Sequence, residues 1–419
     1  MIEKSTKALG SICKIINGRA YKQNELLDEG KYKVLRVGNF FSNSSWYYSD
    51  LELEDSKYCN NGDLLFAWSA SFGPKIWTHD KTIFHYHIWK MEEDKKFIDK
   101  HYLYYYLLNS VQSMMASTHG SIMLHLTKDF MEKMLITFPT DVEYQKRVVK
   151  ILVDIDKKID INEKLISNLV SVATTTYQFW FEHFEFPDEN GKPYKSSLGK
   201  MKFSEILDKN IPETWEVGSL SELFLFNPKL SVKKGEIASY IDMDALPLKG
   251  FMTKKALKKA YSGGMKFQKN DIAVARITPC LENGKTALFT RLNDEEIAFG
   301  STEFIILRGR ENPIPYFGAC LARSETFRSF AISNMTGTSG RKRIDHKVLS
   351  ALVVPLPSKD LLIKFETAME PIFKKMDSLT NINQSLLELR NWLLPMLMNG
   401  QISIRDAEEH IVKTFEQNE

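Results

Sequence analysis

The sequence predicts an α+β fold built twice, as two tandem α+β domains each followed by a long helix, and three observations carry that prediction. The first is an internal repeat. Leu152-Val153-Asp154-Ile155-Asp156-Lys157-Lys158-Ile159-Asp160 returns 217 residues later as Met369-Glu370-Pro371-Ile372-Phe373-Lys374-Lys375-Met376-Asp377. The second is a helical seam: Ile155, Ile159, Asn162, Ile166, Leu169 and Ala173 step by 4, 3, 4, 3 and 4, the spacing of a narrow apolar stripe. Ile372, Met376, Leu379, Asn383, Leu386 and Arg390 repeat those steps, and Leu393 and Leu397 extend them. The third is that short alternating runs and single helical blocks precede each long helix without regular βαβ alternation.

The elements justify themselves in order. In residues 1–142, Tyr32-Lys33-Val34-Leu35-Arg36-Val37 reads as a strand, Asn60-Asn61-Gly62-Asp63 as a turn, and Leu64-Leu65-Phe66-Ala67-Trp68 as a strand buried on both faces. Lys81 to Trp89 reads as a further strand and His101 to Met115 as the helix. Pro139 closes an apolar run, and the long helix occupies 143–181. At about 38 residues and ~1.5 Å per residue it would be about 57 Å long, more than one ordinary domain needs and suited to holding two apart. Each seam carries one asparagine, Asn162 and Asn383. These residues fix register if the helices lie against each other, or else mark a helix edge near solvent.

Residues 182–210 are a linker containing the turn-rich Phe186-Pro187-Asp188-Glu189-Asn190-Gly191-Lys192-Pro193. In residues 211–358, Ser239 to Asp242, Asp271 to Ala275 and Thr302 to Leu307 read as strands. Asn270-Asp271-Ile272-Ala273 falls 208 residues after Gly62-Asp63-Leu64-Leu65, and Tyr316 to Ser329 mirrors the earlier helix. The repeat therefore covers the globular parts too. The second long helix takes 359–400, with Pro371 and Pro395 expected to kink or restart it. Residues 401–419 read as a loosely ordered polar tail.

Composition sets bounds. A chain of 419 residues, 43% hydrophobic and 26% charged, has room for two or three domains. No apolar stretch approaches membrane-spanning length, and Met1-Ile2-Glu3-Lys4 leads into no signal-peptide core, so a cytoplasmic protein without membrane association is expected. Cys13, Cys59, Cys280 and Cys320 are far apart and form no Cys-x-x-Cys pair, which argues against a metal site or disulfide framework. Residues 1–142 carry 17 cationic and 17 acidic side chains, residues 211–358 carry 21 and 15, and residues 359–419 carry 7 and 10. The basic excess lies in the second domain, which permits nucleic-acid binding without demanding it.

Catalytic motifs fail in turn. Gly284-Lys285-Thr286 resembles the end of a phosphate-binding loop, but Pro279 stands where the first glycine is needed. Asn227-Pro228-Lys229-Leu230 lacks the second proline and the aromatic of an amino-methyltransferase motif. His85 and His87 share one face of the expected strand but have no third ligand in view. Pro187-Asp188 is followed by no nuclease-type Asp/Glu-x-Lys. Binding remains. Thr336-Gly337-Thr338-Ser339-Gly340-Arg341-Lys342-Arg343 is a small-residue loop ending in three cations, suited to phosphates or guanine edges, or else a solvated surface loop. The first copy has the nearly uncharged Ser117-Thr118-His119-Gly120-Ser121 there. Lys254-Lys255-Ala256-Leu257-Lys258-Lys259 reads as a phosphate-attracting or solvated face, because lysine is a point charge.

With these residues laid out, the chain closely resembles the specificity subunit of Type I restriction-modification systems. Leu9-Gly10-Ser11-Ile12 and Trp215-Glu216-Val217-Gly218-Ser219-Leu220 are similar to the openings of its two target-recognition domains, and Arg276 to Lys285 is similar to a segment within them. Glu143 to Val148 and Phe181 to Tyr194 resemble its helix start and linker. The resemblance implies that each domain reads one half of a split, asymmetric target in double-stranded DNA while the long helices pack as an antiparallel coiled coil of fixed length. It implies docking of two modification subunits that carry the adenine methyltransferase, joined by restriction subunits with nuclease and translocase activity. S-adenosylmethionine, ATP and Mg would then belong to those partners, with no cofactor and no catalysis on this chain. Candidate DNA contacts are Arg36, Lys75, His119 and Ser121 in the first domain and Arg276, Lys285, Thr338, Ser339, Arg341, Lys342 and Arg343 in the second. The alternative is a coiled-coil interaction scaffold without sequence-specific DNA binding. Two departures stand out: Pro371 interrupts the second helix, and Lys359 to Lys364 lacks a counterpart of Gln145.

Overall fold

Leu64-Leu65-Phe66-Ala67 is apolar at every position, and a strand of that composition needs cover on both faces. It lies in the antiparallel sheet ordered Cys13–Asn17, Ile88–Glu93, Leu64–Ser69, Ser71–Ile76, and its first four residues are fully buried. In the second copy Ile272–Ala275 takes that place, between Phe304–Gly309 and Thr286–Leu288, with Phe224–Phe226 on the outer edge. Each copy adds a second four-stranded sheet with one parallel pair, Tyr32–Leu35 beside Thr82–Phe84 and Ile237–Ile241 beside Ala298–Gly300. A two-stranded ribbon joins each copy's opening strand to the strand leading into its long helix, Lys4–Ala8 with Leu135–Pro139 and Glu216–Ser219 with Val353–Leu356. The α+β plan is built twice, with mixed sheets and two long helices.

The computed structural model describes residues 3–41, 45–69, 71–116, 126–338 and 340–416. The chain divides into one unit of Met1–Lys157 with Leu387–Glu419 and another of Lys158–Leu386. Both divisions fall inside the long helices, which run Val142–Tyr177 and Lys359–Met398. Each unit therefore holds its own stretch of helix pair.

In the Lys158–Leu386 unit, Asn162 donates its side-chain amide to Asn383 Oδ1 at 2.7 Å, and Asn383 donates to the Ile159 carbonyl at 3.4 Å. Farther along the first helix, Tyr177 and Phe181 pack on Phe365 with ring centroids 6.4 and 5.0 Å apart. One helix number rises while its partner's falls, so the pair is antiparallel. Both asparagines are buried, with relative exposures of 2% and 7%, among Ile159, Met376, Leu379 and Leu386. Ile166, Leu169 and Ile372 are half-buried along the same seam. In the other unit Ile155 is buried and Asp156 accepts from Arg390 Nη1 at 2.9 Å and from the Tyr105 hydroxyl at 2.6 Å.

Four sequence expectations give way. Lys81 to Trp89 is two strands, Thr82–Phe84 and Ile88–Glu93, because they belong to different sheets; His85-Tyr86-His87 is the crossing, with His85 N donating to Leu35 O and Ile88 N to His85 O. Tyr316 to Ser329 is two helices, Pro315–Leu321 and Glu325–Ser333, because the Ser324 side chain accepts from Phe327 N and starts a new one. The second long helix runs through Pro371 and Pro395 without restarting. Pro371 and Thr367, whose carbonyl loses its donor, are both exposed, so water can take the missing bond. Finally, the tail contains the helix Ile404–Glu416, capped by Ser403 against Asp406 and anchored by fully buried Ala407 and by His410 stacked 4.1 Å from Trp392.

Two outcomes test this packing. Asn162→Leu should cost about 1–3 kcal/mol in urea unfolding by stranding the Asn383 amide, and Asn162→Leu with Asn383→Leu should recover most of it; a double variant no better than the single would exclude the pair as the cause. Glu366 on the second helix is the other case, its carboxylate accepting Phe317 N at 2.7 Å and Tyr316 N at 3.2 Å. Burial pushes its pKa from 4.5 up to about 7, against the lowering effect of those two bonds. The folded chain then keeps a proton that the unfolded chain releases near 4.5, so this contribution to stability is full below that value and is lost as pH rises through about 7. Denaturation midpoints at pH 5.5 and 8 should differ less in Glu366→Gln than in the parent, and an unchanged difference would refute the assignment.

Candidate nucleic-acid interface

The arginine loop of the second domain is held by one carboxylate. Thr336 and Arg343 pair across its base, Thr336 N donating to Arg343 O at 2.9 Å and Arg343 N to Thr336 O at 2.8 Å. Two glycines, Gly337 at φ 128° and Gly340 at φ 78°, make the reversals between them. Arg343 then folds back: Nε and Nη2 each donate to the Glu303 carboxylate, with the Nη2 bond at 2.7 Å. Those hydrogen bonds hold the Glu303 carboxyl below its ordinary range and raise the Arg343 guanidinium.

The neighbouring segment Arg276 to Lys285 is tied to the same place. Arg276 N donates to Glu303 O, Ile344 N to Arg276 O, and Thr278 gives both its N–H and its hydroxyl to Lys342 O at 3.1 Å. The Arg276 side chain lies 3.9 Å from Glu303. Lys285 is engaged from the other direction, donating to Met243 O and Asp244, with only 16% of its side chain exposed. Of the candidates here, Arg276, Lys285 and Arg343 are therefore occupied in building the surface, whereas Thr338, Arg341 and Lys342 are exposed at the tip. Ser339 lies outside the described residues.

Sequence reading missed the residues behind the loops. Glu303 is one, an acid in a run otherwise read as strand. Arg323 is another: its guanidinium donates to the carbonyls of Pro247, Leu248, Gly284 and Thr286, pinning two loops to one helix end. Burial and the nearby Arg328 lower its pKa to about 10. Only the three-dimensional convergence of four carbonyls marks it.

In the other unit, Arg36 stacks 4.2 Å over the Tyr47 ring and donates to Ser45 O, and Lys75 donates to Phe40 O at 2.8 Å. Burial lowers the Lys75 pKa. His119 and Ser121 lie outside the described residues. His85 and His87 sit in an aromatic group, their rings 4.8 Å apart and each within 4.4 Å of Tyr86. Burial chiefly, with His87 and Arg36 adding to it, lowers the His85 pKa to about 4. Among the described residues no group of three or more His, Cys, Asp or Glu side chains could hold a metal ion, and no helix is long and apolar enough to cross a membrane.

Comparison with known proteins returns one theme. Residues 1–170 match the family model described as Type I restriction modification DNA specificity domain. The chain is 29% identical over 212 residues to the specificity subunit of the Type I restriction enzyme EcoAI from Escherichia coli, covering 48% of this chain and 35% of that protein. The EcoEI specificity subunit, also from Escherichia coli, matches at 27% with 34% of its length covered. The chain thus spans about a third of the length of these two relatives. The MjaVIII specificity subunit from Methanocaldococcus jannaschii is 23% identical over 369 residues, 83% of this chain and 80% of its own. A crystal structure of a Type-I restriction-modification system S subunit from M. genitalium shares the fold, with a TM-score of 0.58, 16% identity, and coverage of 94% of this chain and 96% of that one.

The Glu303 fork has a direct test. Glu303→Ala should free the Arg343 side chain and let trypsin cut within Arg341 to Arg343 several-fold faster, followed by mass spectrometry over time. An unchanged cleavage rate would mean the loop holds its shape without the carboxylate.

Proposed function

We propose, from the premise that this chain belongs to the family of Type I restriction-modification specificity subunits, that it reads a split target in double-stranded DNA and assembles the enzymes that act there. Each α+β domain takes one half-site. The paired helices set the gap and dock two methyltransferase subunits, with translocase and nuclease subunits completing the complex. Methyl donor, ATP and Mg are assigned to those partners, and catalysis with them.

The observation that carries this reading is the duplication itself. One sheet plan occurs twice, each copy feeding a long helix, and the helices are antiparallel within each unit. Two related readers joined by a fixed length suit a bipartite site, since half-site spacing then follows from protein geometry, as it does for dimers on duplex DNA. The readers differ where discrimination needs them to: Arg341 and Lys342 are exposed at one loop tip, and the sequence of the first copy offers His119 and Ser121 instead. Arginine suits guanine O6 and N7 with its paired donors, and lysine suits phosphate. Exposed Ile161, Leu165 and Val172 along the first long helix, at 58, 39 and 47% relative exposure, give partner subunits an apolar stripe to cover.

Two measurements check the reading. A heptad inserted before Asn162 and matched by one after Asn383 adds about 10 Å of paired helix, or about three base pairs at ~3.4 Å each. Methylation mapping in cells carrying the variant should show the gap lengthened by that amount with both half-sites unchanged; altered half-site bases would defeat the ruler. Arg341→Ala should cost about 1–3 kcal/mol and relax preference at one base pair of one half-site. Retention of full preference would remove this loop as a reader.

A further inference from the structure

From Lys229 to Lys269 the chain carries ten lysines, no arginine and three acids, Glu236, Asp242 and Asp244. This stretch accounts for the basic excess of its domain, and the fold gathers part of it onto one sheet face. The mixed sheet of the Lys158–Leu386 unit is ordered Leu257–Ala260, Ile237–Ile241, Ala298–Gly300, Met265–Phe267. Ile241, Ala298 and Phe267 point into an apolar core. Side chains alternate along a strand, so their neighbours Tyr240, Phe299 and Lys266 share the opposite face, in register through the Tyr240–Phe299 and Lys266–Phe299 pairs. Lys259, opposite Ala238, joins them from the edge strand.

That face is paved with rings that carry cations. Phe299 is buried under Tyr240 and Tyr261, each with its centroid 5.1 Å away. The Lys259 ammonium lies 4.5 Å from the Tyr240 centroid and that of Lys266 lies 5.0 Å from Tyr261. The other copy covers the same face with Tyr21, Leu26 and Leu53 as well as with Tyr32 and Tyr47, and there too cations lie over rings, Lys81 3.9 Å from the Tyr58 centroid and Arg36 4.2 Å from that of Tyr47. Among the described residues the second copy lacks the Leu26 and Leu53 type of cover and leaves Lys259 and Lys266 over its rings.

We propose that this face is a sequence-neutral platform for the sugar–phosphate backbone of duplex DNA, gripped by Lys259 and Lys266; the proposal rests on the DNA-reading function above. Lysine offers a point charge without the paired donors that identify a base. Ammonium groups already held over rings lose less freedom when they meet a phosphate. A lysine on an edge strand also discourages strand-to-strand aggregation. That role is open to both lysines, since Leu257–Ala260 and Met265–Phe267 are the two edges of the sheet, but it accounts neither for their seats over tyrosine rings nor for the lysine excess of the loops around them.

The test uses the full chain and a labelled random-sequence duplex, titrated across salt concentration. Lys259→Gln with Lys266→Gln should reduce the slope of log affinity against log salt by about 2 while leaving the folded far-ultraviolet spectrum unchanged. Lys259→Arg with Lys266→Arg should keep the parental slope. An unaltered slope in a folded glutamine variant overturns the proposal, as does a parent that fails to bind the random duplex at low salt. Aggregation of the glutamine variant with its slope intact would assign these lysines to edge protection instead. Methylation mapping separates this proposal from its premise. Half-site bases should be identical in parent and variant, and a changed base would mean that one of these lysines reads sequence. A parent with no bipartite site whose slope still falls on substitution would keep the platform and lose the specificity reading.

Discussion

A single amide pair sets the register of the helices in the Lys158–Leu386 unit. Asn162 and Asn383 are buried in an otherwise apolar seam and satisfy each other at 2.7 Å, with the Ile159 carbonyl taking a further bond. A slip of one helical turn would set Asn162 against Leu379 or Leu386 and Asn383 against Ile159 or Ile166 with no side-chain partner for either, and an unpaired buried amide costs more than a made one contributes. Apolar contact alone would tolerate several registers, since a stripe of leucine, isoleucine and methionine is adaptable. The polar pair removes that tolerance, and the aromatic contacts of Tyr177 and Phe181 with Phe365 depend on the register it selects. The other unit uses a charged equivalent, with Arg390 on Asp156 and the Tyr105 hydroxyl on the same carboxylate.

Each globular part is also hung from its helix by a polar side chain. In the first copy Gln145, fully buried, accepts from Asp99 N and donates to Phe97 O and Pro139 O. It thereby fixes the entry to the helix Lys100–Ala116. The absence of such a glutamine from Lys359 to Lys364 reads as a departure in the sequence, yet the task is done one turn later by Glu366, which accepts from Tyr316 N and Phe317 N at the start of Pro315–Leu321. The carboxyl accepts both bonds there, where two backbone donors lack intrahelical partners. The change of residue makes one attachment indifferent to pH and the other sensitive to it.

Much of this plan is legible in the sequence because periodicity survives without context. The 4–3 stepping of Ile155 to Ala173 and of Ile372 to Leu397 states a helical seam whatever surrounds it, and the 217-residue repeat states that there are two. The asparagines were visible but ambiguous, since only a partner distinguishes a buried register pair from a helix edge. The misread elements fail for the opposite reason. Lys81 to Trp89 has an unbroken strand pattern, and its break at His85-Tyr86-His87 follows from two sheets competing for its ends. The tail is polar overall and is ordered by Ala407 and the Trp392–His410 stack, contacts that composition does not report.

The candidate interface was legible as charge and illegible as geometry. Arg341, Lys342 and Arg343 are equal in the sequence, but Glu303 takes the third and leaves the first two at the tip. Lysine-rich strands look like solvent-facing polarity until register places Lys259 and Lys266 on one face over Tyr240 and Tyr261. The domain thus separates two chemistries that composition sums into one basic excess. On the proposed function, Arg341 offers its forked guanidinium on a glycine-jointed loop suited to a base edge, and the point charges of Lys259 and Lys266 lie on a ring-paved sheet face suited to phosphate. On that proposal affinity and specificity draw on different residues, so either can change through substitution without rebuilding the other.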